Sequence, residues 1–275
     1  MINADLHIHS MMSPDSREDI DSICLKAMEL GLKTIAISDH YEFYWPDRHH
    51  DVFNPKHVEE EQKIIEKARI RYNGELNILF AIEIGQPHFD YHNSLKLISS
   101  FDFDFILASF HKVGGSDLMS HDYVDVEDRK KTLSAYLDGL LVMASLFDFD
   151  SLAHLDLIKR YSLKAGHIER IEDEEERVRR ILRVLAMRGK ALEINTSLLR
   201  DYDEPMPGEK VLSWFREEGG CMITVGSDAH KADHIAYGFD RIEEMLCRCG
   251  FDGYYIYEGR KKKFIGFERE DLCLN

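Results

Sequence analysis

The sequence predicts an α/β barrel, and three observations lead there. Short apolar runs alternate with amphipathic stretches along the whole 275-residue chain, which is the rhythm of parallel strands joined by helices. Seven such strands in one unit of this length favour a barrel over an open sheet. Nearly every strand also ends on a histidine, aspartate or glutamate, and barrels gather their chemistry at the C-terminal ends of their strands.

The first strand is read from Ile2 to Ile8, within Asp5-Leu6-His7-Ile8-His9-Ser10. Side chains two apart on a strand share a face, so His7 and His9 project together. One such pair alone is no more than a surface strand with histidines; the later strand ends give it weight. Ser16-x-x-Asp19 predicts a capped helix start, followed by Ile20, Ile23, Cys24, Ala27 and Met28 at helical spacing and by Gly31 as a stop. Thr34 to Ser38 is the second strand, closing on Asp39-His40. A polar, aromatic loop from Tyr41 to Pro55 follows, then a helix from Val58 to Tyr72. Asn77 to Ile82 is the third strand, ending at Glu83, and Phe105 to Ser109 the fourth, ending at His111.

A helix with Leu133, Tyr136, Leu137, Leu140, Leu141 and Ala144 on one stripe leads to the fifth strand, Ser151 to Ala153, and to His154. The next helix carries Glu172 to Glu176 early and Arg177 to Arg188 late, the order a helix dipole favours. Ala191 to Ile194 is the sixth strand. After a helix from Pro207 to Glu218 comes the seventh, Met222 to Val225, closing on Gly226-Ser227-Asp228-Ala229-His230. A last helix near Ile242 to Leu246 precedes a β pair, Tyr254 to Tyr257 and Phe264 to Phe267, with Arg260 to Lys263 read as a solvated turn. Without a linker or repeat, residues 1–275 read as a single domain.

Composition narrows the function. With 35 basic against 51 acidic residues and a net charge of -16, the chain lacks the cationic excess that nucleic acid or an anionic membrane attracts. Five cysteines without paired zinc spacing suit a reduced, cytoplasmic protein. No apolar run reaches the length of a membrane span.

His7, His9, His40, Glu83, His111, His154, Asp228 and His230 end the strands, and Asp15 follows the first of them. Six imidazoles and three carboxylates exceed the three protein ligands of a catalytic zinc site. They suit two or three divalent ions, which hold phosphate and supply hydroxide near neutral pH.

Taken in order, Asp5-x-His7-x-His9, Ser38-Asp39-His40, Glu83-Ile84-Gly85, His111, His154 and Gly226-Ser227-Asp228-Ala229-His230 resemble the PHP (polymerase and histidinol phosphatase) superfamily. In length and layout the chain is most similar to its PHP-type histidinol-phosphatase family. The resemblance implies a distorted seven-stranded TIM-like (β/α) barrel with a trinuclear centre of zinc, iron or manganese. One ion would take His7, His9, Glu83 and Asp228, a second Glu83, His111 and His154, and a third Asp15, His40 and His230. Glu83, Asp228 and His230 would then act in catalysis through metal-bound hydroxide.

The resemblance also makes Arg160 and Arg200 candidates for the substrate phosphate, since a guanidinium fork suits that anion. Asn195 and Ser197 either join that site or close a turn. The family usually shows glycine after that serine, where this chain has Leu198, so a different local backbone is expected. Phe43, Tyr44 and Trp45 suit a substrate lid or loop packing, and Tyr161 is read the same way. His49, His50, His57, His88, His92, His121, His167 and His234 match no ligand position.

The activity expected is hydrolysis of L-histidinol phosphate in histidine biosynthesis. Alternatives that keep the site are another phosphomonoester or a nucleotide. A metal-dependent amidohydrolase also opens on His-x-His, but that class often bridges its metals with a carboxylated lysine, where this chain has Glu83. A purely structural metal protein fits poorly, because structural zinc sites close with four ligands.

Overall fold

A computed structural model describes residues 1–42, 55–113, 116–118, 126–167 and 170–267. Seven strands form one parallel path around the barrel: β1 (Ala4–Ile8), β2 (Thr34–Ile37), β4 (Asn77–Gly85), β5 (Phe105–Ser109), β8 (Ser151–Leu152), β9 (Ala191–Asn195) and β10 (Ile223–Gly226). The first and last of these meet through a parallel bridge between Ile8 and Ala229, with the His9 N–H donating to the Ala229 carbonyl at 2.9 Å. The barrel is thus nearly closed, and its seam lies beside His7 and His9. Except for Asn77, every residue on these strands is buried, as expected where both faces of a parallel sheet are covered.

β4 is the longest strand of the path and serves two neighbours. Its first half pairs with β2 and its second half with the short β3 (His40–Glu42), which sets His40 opposite Glu83. Ser38 and Asp39 turn the chain between these pairings, so the second strand reaches the mouth in two pieces.

Helices cover the outside: α1 (Ile20–Glu29), α2 (Pro55–Arg71), α3 (Tyr91–Ser100), α4 (Val126–Leu146), α5 (Ile158–Lys164), α6 (Glu175–Arg188), α7 (Leu199–Tyr202), α8 (Glu209–Glu217) and α9 (Phe239–Arg248). The start of α1 departs from expectation. Asp19 is its cap, accepting the Ser22 N–H at 2.9 Å, while Ser16 donates instead to the His9 carbonyl at 3.1 Å. A hydroxyl that can tie the metal-bearing loop is not left to cap a helix.

α2 begins at Pro55, whose missing N–H does no harm in the first turn. α3 and α5 had no strong signal in the sequence, because α3 buries only Ser94 and Leu97 and α5 is two turns long. A small hairpin, β6 (Lys112–Val113) and β7 (Ser116–Asp117), follows His111.

The terminal hairpin, β11 (Gly253–Glu258) and β12 (Lys261–Gly266), packs at the opposite end of the barrel, with the Tyr257 ring stacked 5.1 Å from Phe105. Here the expected solvated turn is corrected. Lys261 to Lys263 form the first half of β12, and Arg260, in a left-handed turn, reaches the buried Asp150 at 2.6 Å. Pairing with a buried carboxylate outweighs solvation of this one arginine.

α4 provides a test of the packing. Gly139 sits in its interior, where alanine ordinarily gains up to about 1 kcal/mol. A Cβ there would overlap the ring of Phe110, itself buried and 5.6 Å from the Tyr136 ring. Gly139→Ala should therefore lower stability by about 1–3 kcal/mol, the usual range for overpacking. Urea denaturation of the two proteins measures this, and a stabilised Gly139→Ala would contradict the packing described.

Candidate metal centre

β1 sends His7 and His9 to the same side, both fully buried, with their Nε2 atoms 3.1 Å apart. Glu83, from the second half of β4, stands against them. Its Oε1 lies 2.9 Å from His154 Nε2 and 3.2 Å from His111 Nε2. Its Oε2 lies 2.7 Å from His40 Nδ1, 3.4 Å from His7 Nε2 and 3.6 Å from His9 Nε2. Asp228 Oδ1 is 3.3 Å from His9 Nε2 and 3.8 Å from His7 Nε2. Nearer solvent, Asp15 Oδ2 lies 3.0 Å from His230 Nε2 and 3.5 Å from His40 Nε2. All nine of the expected donors come to one mouth.

The local chain folds in this way for identifiable reasons. Asp39 accepts the Ser10 N–H at 2.7 Å and the Ser10 hydroxyl at 2.6 Å, tying together the loops that follow β1 and β2. Asp5, wholly buried, accepts the N–H groups of Ser227 and Ala236, each at 2.9 Å, and so anchors the loop that carries Asp228. Burial raises the Asp5 carboxyl to about 6. Gly226 lacks a side chain where His7 and Glu193 pass, and a Cβ there would overlap both. His154 (φ 22°) and Asp228 (φ 52°) hold left-handed backbone conformations that cost about 1–3 kcal/mol each. Strain of this kind persists where the surroundings over-determine it.

Electrostatics point the same way. Burial raises the Glu83 carboxyl, but His40, His7 and His111 outweigh it and hold the group well below the usual range. Asp228 is likewise held well below the usual range, burial being overcome by His7, His9 and Arg160. Burial lowers His7, His40 and His111, yet the carboxylates around them win, raising His111 to about 9 and the other two well above the ordinary value. His9 goes the other way: burial, then His230 and His40, push it down to about 3. Protons on imidazoles raised in this way are of the kind that metal binding releases.

The donor set fits transition-metal ions. Glu83 Oε2 and His40 Nδ1 are buried and, among the described residues, make no hydrogen bond despite their close approach, and His154 Nδ1 is also without one there. Buried polar atoms seldom lack partners. Among the described residues four groups converge closely enough to hold an ion: His9, His40 and His230; His7, Glu83 and His154; His7, His9 and Asp228; and His40, Glu83 and His111. Imidazole and carboxylate together suit zinc, iron or manganese. His57, His88, His92, His167 and His234 enter none of these groups. His49, His50, His121 and the aromatic segment Phe43, Tyr44 and Trp45 lie outside the described residues.

The two arginines flank Asp228. Arg160, on α5, donates to Asp228 Oδ2 at 2.9 Å and to the Ser197 hydroxyl. Arg200, on α7, donates to the Ser227 carbonyl at 3.1 Å. Asn195 and Ser197 form part of this network, with the Ser197 hydroxyl donating to Asn195 Oδ1 at 2.6 Å. Leu198 has φ -74° and ψ -22° and is buried, so the backbone at this position is ordinary and needs no glycine. Tyr161 follows Arg160 and is half-buried.

Reading the sequence missed the partners behind the donors. Glu193 Oε1 lies 2.6 Å from His7 Nδ1, Ser13 Oγ 3.0 Å from His9 Nδ1, and Glu42 Oε1 in close contact with His111 Nδ1. Glu42 is also 3.3 Å from Nζ of the buried Lys112. Such partners orient ligating imidazoles and fix their tautomers. Only Glu193 left a trace in the sequence, as a carboxylate inside the otherwise apolar run Ala191-Leu192-Glu193-Ile194.

Comparison with known proteins places this arrangement. Residues 5–197 match the PHP domain. The chain is 28% identical over 268 residues to the histidinol-phosphatase of Lactococcus lactis subsp. lactis (strain IL1403), covering 95% of this chain and 96% of that one. A probable histidinol-phosphatase of Thermotoga maritima is 29% identical over 260 residues, covering 94% and 96%. The crystal structure of the histidinol phosphate phosphatase from L. lactis, complexed with zinc, L-histidinol and phosphate, matches with a TM-score of 0.82 at 26% identity, covering 95% of this chain and 98% of that one. With its parallel barrel, and with most of its length inside the matching domain, the chain belongs to the PHP domain family.

Proposed function

We propose that this chain is a histidinol-phosphate phosphatase, hydrolysing L-histidinol phosphate to L-histidinol and phosphate in histidine biosynthesis. The observation that carries this reading is the meeting, at one barrel mouth, of metal-binding donors with two guanidiniums around Asp228. Its substrate follows from the similarity, over nearly the full chain, to a phosphatase solved with zinc, L-histidinol and phosphate. We read residues 1–275 as one domain acting on a small molecule in the cytoplasm, without a nucleic-acid or membrane partner. No helix among the described residues is long and apolar enough to cross a membrane.

His7, His9, Glu83 and Asp228 would hold one ion, Glu83, His111 and His154 a second, and Asp15, His40 and His230 a third. Bound ions would supply Lewis acidity and lower the pKa of water enough for attack near neutral pH. The chain's own residues do the rest. Glu83 presents one oxygen to His111 and His154 and the other to His7, His9 and His40, which suits a bridging role. Arg160 and Arg200 bind the phosphate oxygens and offset their growing charge in the transition state. Asp228 aims Arg160 while facing the imidazoles with its other oxygen. The amidohydrolase reading is disfavoured because a glutamate fills the central place, and the buried Lys112 is engaged with Glu42.

Three measurements test this. Glu83→Gln should lower metal content and turnover together, with metal affinity falling by more than the about 10–100-fold that an outer-shell partner costs. Elemental analysis and kinetics on one preparation decide it, and normal values in both would remove Glu83 from the site. Arg160→Ala should lower kcat by about 10²–10³-fold, the cost of one preorganised donor aimed at developing charge. Arg160→Lys should recover only part of that, because a point charge does not reproduce a planar fork; unchanged kinetics in both would return Arg160 to a structural role. Finally, kcat/KM for histidinol phosphate should exceed that for phosphoserine, glycerol phosphate or a nucleotide monophosphate by about 100-fold or more. A pocket built to hydrogen-bond the imidazole and amine leaves its own groups unpaired with analogues that lack them. Equal values across the panel would leave a phosphatase and discard the histidine pathway.

A further inference from the structure

We infer that Glu193 is a positioning residue of the metal centre, holding His7 in the tautomer and direction that present its Nε2 to metal. This rests on the reading above that the mouth binds metal ions. Glu193 is buried near the middle of β9, its neighbours Leu192 and Ile194 wholly buried and apolar. Placing a carboxylate there is costly unless every lone pair is used.

Its partners use them in one sense only. Oε2 accepts the His154 N–H at 2.8 Å and Asn195 Nδ2 at 3.2 Å. The Asn195 amide cannot be turned round, because its Oδ1 accepts both the N–H and the hydroxyl of Ser197, at 3.0 and 2.6 Å. Oε1 faces His7 Nδ1 at 2.6 Å. A carboxylate accepts and does not donate, so Nδ1 carries the proton of that bond. In neutral His7 the lone pair is then on Nε2, 3.1 Å from His9 Nε2, 3.4 Å from Glu83 Oε2 and 3.8 Å from Asp228 Oδ1. The imidazole has little freedom to escape this pose. Gly226 closes against both His7 and Glu193, leaving no room even for a methyl group. Glu193 also reaches the backbone of His154, a donor on the far side of Glu83, so one carboxylate sets two walls of the centre.

The test is Glu193→Gln, which keeps the shape and changes the polarity. An amide must point its NH₂ either at His7 Nδ1 or at the His154 and Asn195 donors. In the first orientation it drives the His7 proton onto Nε2, and in the second it breaks two hydrogen bonds. Zinc affinity, measured by competition with a chelator, should fall about 10–100-fold. In zinc-loaded wild-type protein, ring ¹⁵N shifts should show His7 Nδ1 protonated and Nε2 metal-bound. A Glu193→Gln protein that binds zinc as the wild type does, even with a lower melting temperature, would overturn the inference and leave Glu193 a fold residue. If the variant does not fold, the ¹⁵N shifts decide alone: an unprotonated Nδ1 in the wild type sinks the proposal. A wild type that takes up no zinc, iron or manganese would instead sink the metal reading on which the proposal rests.

Discussion

Everything at the mouth of this barrel answers to one carboxylate. Glu83 has no exposed surface, and a buried charge without compensation is among the most costly things a fold can contain. Its two oxygens face five imidazoles drawn from four other segments of the chain. The surrounding carboxylates favour the protonated forms of His7, His40 and His111, and an imidazole can equally give its lone pair to a metal ion. A site of this kind is a charge balance built into the core, with the barrel as its frame.

The frame makes the balance possible through small departures from regularity. The second strand breaks at Ser38 and Asp39, so that β2 and β3 share β4 and His40 arrives opposite Glu83. The left-handed backbones of His154 and Asp228 re-aim side chains that a continuing strand would have sent elsewhere. Asp5 and Asp39 are not among the nine donors at the mouth. They hold loops by their backbone N–H groups, and without them the donors would rest on flexible ends.

Much of this was legible in the sequence, because the strands are apolar and end on donors. The seven strands of the barrel path and the nine residues that meet at its mouth can be read from residue type and spacing, whereas β3, α3, α5 and the hairpin after His111 cannot. Other features depend on partners far along the chain and leave no local mark. Ser16 looks like a helix cap but is taken by the carbonyl of His9, and Asp19 caps instead. Arg260 looks like a solvated turn residue until Asp150 is placed beside it. Glu42 and Ser13 are ordinary polar residues until His111 and His9 are folded against them. Glu193 was the exception, a charge inside an apolar strand.

The seam of the barrel also carries a consequence for how the molecule is made. Asp5 waits for the N–H of Ser227 across 222 residues of chain, and the bridge between Ile8 and Ala229 closes the sheet at the same place. At about 5–20 residues per second of synthesis, the histidines of the first strand precede their last partners by roughly 10–45 s. Contacts so distant in sequence form late and slowly. For that interval the mouth lacks Asp228 and His230, and the barrel stays open along one side. The last strand of the barrel path therefore brings Asp228 to the mouth and closes the barrel in the same movement.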